Sequence, residues 1–430
     1  MRFVIRDPVV SAIRRLCVTS RPRVAASLSD DAMLRRSAHP SFHSNLRIPV
    51  RRFTFAPLCV IAVLSFAISG CGSRKTESGG DSETGDTKEL QATVDASTAK
   101  PADPAEVVAV VEALTEKMRR DGNGMIIEVD FRGTEVTDAD LESLPELPRL
   151  RSVLLAGTQI SDEGLKPIGK IKSLENLDLR DCAIGDKGLE SLTELPKLKA
   201  LRLSGKSGDC EVSDDGMVSV AKLPTLKVLA LDFLWVGEDG LESLTGLKNL
   251  QELYLAGTTI GDEAIGILAA FPNLKKLRVA GTGIGAEGIQ SLPKLTKLED
   301  LDLSECSQIL DDAMAPIAEM KSLKKLNMWR LNLSDDGIKP LQGLTQLESL
   351  NLDNTRLSDK GMPYLSGLTS LEFLHLGSTL ITDEGLVHLE GLKSLQDLKV
   401  TRTAVTQVGV DELKKQLPKT KIQLKYIAGT

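Results

Sequence analysis

One apolar phrase, L-x-x-L-x-L-x-x-T-x-I-[ST]-D-x-G-L-x-x-L-x-x-L, recurs twelve times, with its first apolar residue at Ile126, Leu150, Leu174, Leu198, Leu226, Leu250, Leu274, Leu298, Leu323, Leu347, Leu371 and Leu395. The step is 24 residues, widening to 28 after Leu198 and 25 after Leu298. A near-constant step over so many copies describes one supersecondary unit stacked on itself, each copy touching only its neighbours. It overrides the several globular domains that a chain of 430 residues would otherwise suggest. With aromatics at only 3%, the core must be aliphatic, which suits thin layers in series.

The period changes inside each copy. Leu374-His375-Leu376 alternates apolar and polar, as a strand does, whereas Leu386, Leu389 and Leu392 are spaced by three, as in a helix. Each copy is therefore a short strand, a turn and a short helix. The Ser/Thr-Asp pairs between them, such as Ser161-Asp162, Ser358-Asp359 and Thr382-Asp383, read as helix N-caps with a negative charge at the positive end of the dipole. Gly164, Gly188, Gly216, Gly240, Gly337, Gly361 and Gly385, each two residues after an acidic residue (Glu238 before Gly240, Asp elsewhere), are expected to let the helix start approach the next coil. A row of catalytic carboxylates or calcium ligands is the competing reading of Asp-x-Gly, and its regular placement at helix starts favours capping.

With this phrase the chain resembles the leucine-rich-repeat proteins, in particular the cysteine-containing subclass found in F-box receptors and in bacterial lipoproteins. The resemblance covers residues 126–425. It implies an α/β leucine-rich-repeat solenoid, a curved horseshoe with parallel strands on the concave face and helices on the convex face. No F-box-like segment precedes the repeats, so an adaptor role in ubiquitin ligation is not carried over. Residues 103–125 are expected to form an N-terminal capping helix, begun by Asp103-Pro104 and made apolar by Val107, Val108, Val110, Val111, Leu114 and Met118. Residues 126–419 hold the twelve repeats, and 420–430 a cap strand, Ile422-Gln423-Leu424, and a tail.

The N-terminus reads as an address. Arg47, Arg51 and Arg52 precede the apolar run Phe55–Ile68, which ends in Ile68-Ser69-Gly70-Cys71. Basic flank, short apolar core and small residues make a secretory signal. The last four residues resemble a bacterial lipobox, which implies that Cys71 carries lipid and begins the mature chain. An uncut signal anchor is the alternative, though the run falls short of the ~20 residues that a membrane span needs. Because of the Arg-rich extension before the signal, the translational start is expected downstream, for instance at Met33 or a non-AUG codon near Val50. Residues 72–102, polar and rich in Gly, Ser, Thr and Asp, are expected to form a disordered tether. Residues 1–71 carry eleven Lys/Arg against three Asp/Glu, so the net −7 becomes −15 for the exported part, which argues against nucleic acid as a partner.

No CxxC, metal-ligand spacing, nucleophile elbow or phosphate loop occurs, so neither an enzyme nor a cofactor is expected. Cys182 and Cys306 stand where the phrase usually has Thr. Cys182 and Cys210 fall on adjacent coils, which puts a disulfide within reach; the alternative is small buried thiols packed under the turn.

The outward strand positions are not committed to the core and carry what information there is about binding. Arg278 with Asp302, and Lys276 with Asp300 and Lys325, should pair across coils as a solvated ladder. Asn327, Trp329, Asn351, Asp353, Phe373 and His375 fall on consecutive copies and form one candidate partner-binding patch. Phe233, Trp235 and Tyr254 form a second, beside the insertion Gly205–Cys210. The expected function is a non-enzymatic, monomeric protein-binding scaffold, held to a bacterial envelope membrane only by its lipid. Carbohydrate or cell-wall polymer recognition and a structural envelope spacer are the alternatives.

Overall fold

The computed structural model describes residues 102–425. Cys71, the signal-like segment, the basic extension, the tether up to residue 101 and residues 426–430 lie outside the described residues.

Fourteen strands follow one another in chain order across a single open sheet. Apart from the first pair they run parallel and in register, with the apolar positions superposed: Leu301, Leu326, Leu350, Leu374, Leu398 and Ile422 stack directly on one another. Most strands are only three residues long, with the middle residue buried and its neighbours turned out, as period-two patterning requires. The inward leucines, nearly all below 3% exposure, form one continuous core between the strands and the return helices. Among the described residues no helix is long and apolar enough to cross a membrane.

The return segments mix α and 3-10 helix. Three-residue apolar spacing fits the 3-10 period better than the α period, and Pro145, Pro293, Pro316, Pro340 and Pro363 favour short turns over continuous α-helix. Asp311–Glu319 is 3-10 throughout.

The N-terminal cap departs from a single helix. Helix α1, Ala105–Leu114, is followed by strand β1, Met118–Arg120, antiparallel to β2, Ile126–Asp130. Asp121-Gly122-Asn123-Gly124 makes the turn: Asp121 Oδ1 accepts from Asn123 N and Met125 N, and Gly124 takes φ +84°. Met118 therefore lies on a strand and not on the helix face. Asp103 does not cap α1; its Oδ2 accepts from Ile126 N at 2.6 Å and secures the start of β2. At the other end the strand Lys421–Gln423 forms the last rung, and helix Gln407–Gln416 buries Val410 and Leu413 against the core.

Where a coil carries Asp at its helix start, that Asp reaches across to the following coil. Asp138 accepts from Ser161 N, Asp162 from Gly185 N, Asp186 from Ser213 N, and the series continues to Asp383 and Thr406 N, with distances of 2.6–2.8 Å. Where the residue reached is Ser or Thr, its hydroxyl donates to the second carboxylate oxygen. The helix's own cap is the Ser or Thr, as at Ser161, Ser213, Ser334 and Thr382.

This ladder explains the glycines, and it reverses the direction expected from the sequence. The glycine opens space for the coil before it: a Cβ on Gly164, Gly188, Gly216, Gly240, Gly288, Gly337, Gly361, Gly385 or Gly409 would meet a carboxylate oxygen of the preceding Asp. Only two interior copies carry Ala at this position, Ala264 and Ala313, and both follow a coil without the Asp. Glu238 precedes Ala264 and reaches Gly261 N with its longer arm at 2.6 Å, and Ala286 precedes Ala313. At the opposite helix end, Lys172, Lys248, Lys321 and Lys393 donate to backbone carbonyls of the following coil, placing cations at helix C-termini.

Candidate binding site on the strand face

The outward residues of the strands form columns running across the coils. One contains Lys325, Ser349, Phe373 and Asp397, and the next Asn327, Asn351, His375 and Lys399. Trp329, Asp353, Gly377 and Thr401 follow two residues further along.

In the N-terminal and central coils the charges on this face satisfy one another. Asp130 pairs with Arg132, and Asp178 with Arg180. Arg278 bridges Asp232 at 3.0 Å and Asp302 at 3.4 Å, while Lys276 pairs with Glu252 at 3.1 Å instead of with Asp300. Burial pushes the Asp232 and Asp300 carboxyls above the usual carboxylate range, and the nearby cations offset this only in part. Of the ladder pairings expected from the alternation, Arg278 with Asp302 forms across coils, whereas Lys276 turns to Glu252, and Asp130–Arg132 and Asp178–Arg180 pair within one coil.

The first candidate patch sits where that ladder ends. Phe373 and His375 meet edge to face, with ring centroids 6.3 Å apart, and Lys399 lies 5.6 Å over the Phe373 ring. Trp329 is half-buried, because the Arg330 guanidinium covers it at 5.3 Å. Asn327 Oδ1 accepts from Trp329 N and Asn351 Oδ1 from Asp353 N, so each side-chain amide is oriented with its NH2 group away from the backbone. Burial holds the His375 imidazole below its usual value; Asp353 acts against this and Lys399 with it. Sequence reasoning did not single out Ser378, Lys399 or Thr401, which the structure places beside His375 around a small polar cup. Their signal was positional, since Lys399 continues the Asn351-His375 column.

The second patch divides. Trp235 is 73% exposed and Phe233 40%, the latter held at φ +62° with its ring over Gly257 and Lys206 at 5.8 Å. Tyr254 is half-buried and donates to Glu252 Oε2 at 2.7 Å; burial and that carboxylate raise its phenol well above the usual range. Its hydroxyl belongs to the central ladder.

Cys182 and Cys210 are both free thiols. Cys182 Sγ donates back to Leu155 O in the preceding coil at 3.1 Å, in contact with Thr158. Cys306 repeats this geometry with Val279 O and Thr282. A thiol fills the Thr slot of the phrase in each. Burial pushes the Cys210 thiol up to about 11. Among the described residues no group of His, Cys, Asp and Glu could hold a metal ion.

A regular solenoid presenting one continuous face of outward side chains defines a repeat protein of the binding-scaffold class. A family model described as a leucine-rich repeat region matches residues 128–410, and the chain belongs to the leucine-rich-repeat family. Among solved structures it is similar to an internalin from Listeria monocytogenes, with 21% identity, a TM-score of 0.53, and coverage of 75% of this chain and 94% of that one. A leucine-rich-repeat protein of Leptospira interrogans is similar at 18% identity and a TM-score of 0.43, covering 66% of this chain and 80% of that one. These likenesses concern the fold alone. A search of curated proteins finds no match.

Proposed function

We propose that this chain is an exported scaffold, tethered to a bacterial envelope membrane through lipid on Cys71, that binds a protein partner on its strand face. The observation that carries the reading is the change along that face. Charges are paired through the central coils, and then Trp329, Asn327, Asn351, Asp353, Phe373 and His375 bring aromatic rings, amide groups and a carboxylate without an ion pair among the described residues onto consecutive coils. Aromatic rings amid hydrogen-bonding groups are what interface hot spots are made of. The tether and lipid rest on the sequence, through the lipobox-like Ile68-Ser69-Gly70-Cys71 and the polar stretch after it.

Affinity capture from a native envelope extract tests the binding reading. A protein retained by the wild-type chain and lost by the Trp329→Ala/Phe373→Ala double variant supports it; full retention by that variant counts against it. The same extract passed over a glycan array with the purified chain distinguishes the carbohydrate alternative, which predicts sugar binding with the same two rings required. Radiolabelled palmitate incorporation that disappears in Cys71→Ser tests the anchor.

A further inference from the structure

The strand face departs from its pattern of paired charges around Gly377. A Cβ built there would lie 2.8 Å from Asp353 Oδ1, 2.9 Å from His375 Nε2 and 2.9 Å from Thr401 Oγ1. Side chains from three successive coils thus converge over a residue that has none. With Ser378, Lys399, Arg402 and Gln423 they line a cup of about 60 Å3. Among the described residues, the Asp353 carboxylate, the His375 ring nitrogens and the Ser378 and Thr401 hydroxyls make no hydrogen bond to the protein, and the Lys399 ammonium makes no ion pair. Thr401 is only 6% exposed. Side-chain atoms that are both buried and without a hydrogen bond among the described residues lie elsewhere, at Asp103, Ser143, Arg278 and Asp397, so the polar groups of the cup are open at its mouth and within reach of a partner from outside.

The size and chemistry of the cup restrict that partner. A volume of about 60 Å3 is roughly twice a water's share of the liquid, enough for a headgroup and not for a whole ligand, so the rest must lie along the face. Lys399, Ser378 and Thr401 offer donors to an anion. Asp353, on the side toward Trp329, would repel a plain anion. A peptide terminus resolves the conflict, because it presents a carboxylate and, next to it, an N–H. Further in the same direction, the NH2 groups of Asn351 and Asn327 are available to peptide carbonyls, since their Oδ1 atoms already serve the backbone.

We propose that the strand face binds an extended peptide by its free C-terminal carboxylate, seated between Lys399, Ser378 and Thr401, with the last N–H given to Asp353 and the chain running toward Trp329. The inference rests on the protein-binding reading above and narrows it to a chain end. Neighbouring strands are about 4.8 Å apart, so the two coils from Gly377 to Trp329 span about 10 Å, or some three extended residues. Trp329 therefore meets the side chain about three residues from the end and selects an apolar one.

Two random heptapeptide pools, identical except for a free acid or an amide at the C-terminus, are passed over the immobilised full chain and the retained peptides sequenced. The acid pool should be retained at least tenfold over the amide pool, enriched in apolar residues near the third position from the end. Lys399→Ala and Thr401→Val, each shown to melt like wild type, should abolish the preference. Equal retention of both pools, retention of neither, or a preference unchanged in both variants overturns the proposal. Competition by polyglucuronate as effective as by the acid pool overturns the peptide source. If the pools are equal while an envelope protein is still captured through Trp329 and Phe373, the carboxylate inference fails and the protein-binding reading stands.

Discussion

Gly188 faces Asp162 of the preceding coil so closely that a methyl group on its Cα would overlap the carboxylate oxygen that Gly185 N donates to at 2.8 Å. The pair is one rung of the ladder that joins coil to coil. Gly188→Ala should destabilise the fold by about 1–3 kcal/mol through overpacking. Asp162→Ala should cost about 1–3 kcal/mol by leaving the Gly185 N–H unpaired. Since each change removes the reason for the other's cost, the double variant should be less destabilised than the sum, by about 1 kcal/mol or more. Urea unfolding of the four proteins measures the coupling, and strict additivity would contradict the ladder.

The same rule can be run in reverse where it is absent. Ala286 and Ala313 occupy the Asp and Gly positions of one rung, and Ala286→Asp alone should collide with the Ala313 methyl group and lower stability. Adding Ala313→Gly should recover most of that loss, because the pair then matches the other rungs. If Ala313→Gly gives no recovery, the covariation of these positions has another cause.

Much of this was legible in the sequence, though not its direction. The Asp-x-Gly spacing and its two exceptions are plain in the text of the chain, and a periodic pattern gives the step without saying whether a side chain points up or down the stack. On sequence alone the Asp of pairs such as Ser161-Asp162 reads as a cap of its own helix. The hairpin Met118–Arg120/Ile126–Asp130 was hidden for a different reason: Met118 continues the apolar spacing of α1, and only the Asp121-Gly122-Asn123-Gly124 turn marks the change. The outward columns followed from alternation. Which polar groups within them go unpaired, Thr401 and Ser378 among them, depends on distances that alternation does not contain.

Phe233 occupies a left-handed position, φ +62°, that Gly257 and Gly281 fill in the next two coils. An L residue there costs roughly 1–2 kcal/mol. Phe233→Gly should therefore be neutral or stabilising by up to ~1 kcal/mol despite the lost contact with Lys206, while binding at the Trp235 rim falls if that rim meets a partner. Thermal melts check the first part. A loss above ~1 kcal/mol would show that the ring's packing outweighs its strain.

Cys182, Cys210 and Cys306 should resist alkylation in the folded protein at pH 8, because burial both shields the thiols and raises their pKa values, Cys210 to about 11. After unfolding without reductant all three should label, as read by peptide mapping. Labelling of Cys306 alone would reveal a bond between the other two.

His375 is held neutral by burial, its pKa below the ordinary value near 6.5. The unfolded chain then takes up a proton before the folded one does. The His375 contribution is complete above about pH 6.5 and declines as the pH falls through that value toward the depressed folded pKa. His375→Asn should flatten the wild-type fall in stability between pH 7 and 5; identical slopes would place the imidazole in water.

The carboxylate rung has a consequence for how a chain like this can lengthen. A copied 24-residue segment with Asp at one edge and Gly at the other is a tile that fits above or below any like it, so an in-frame duplication arrives with both of its seams already matched. Two seams refuse the tile. A copy of the coil holding Ala264 set after an Asp-bearing coil would bring a methyl group against that Asp, and one set after Ala286 would find no acid to receive. Growth of the array is therefore modular everywhere except at Glu238/Ala264 and Ala286/Ala313, where neighbouring coils can only be inherited together.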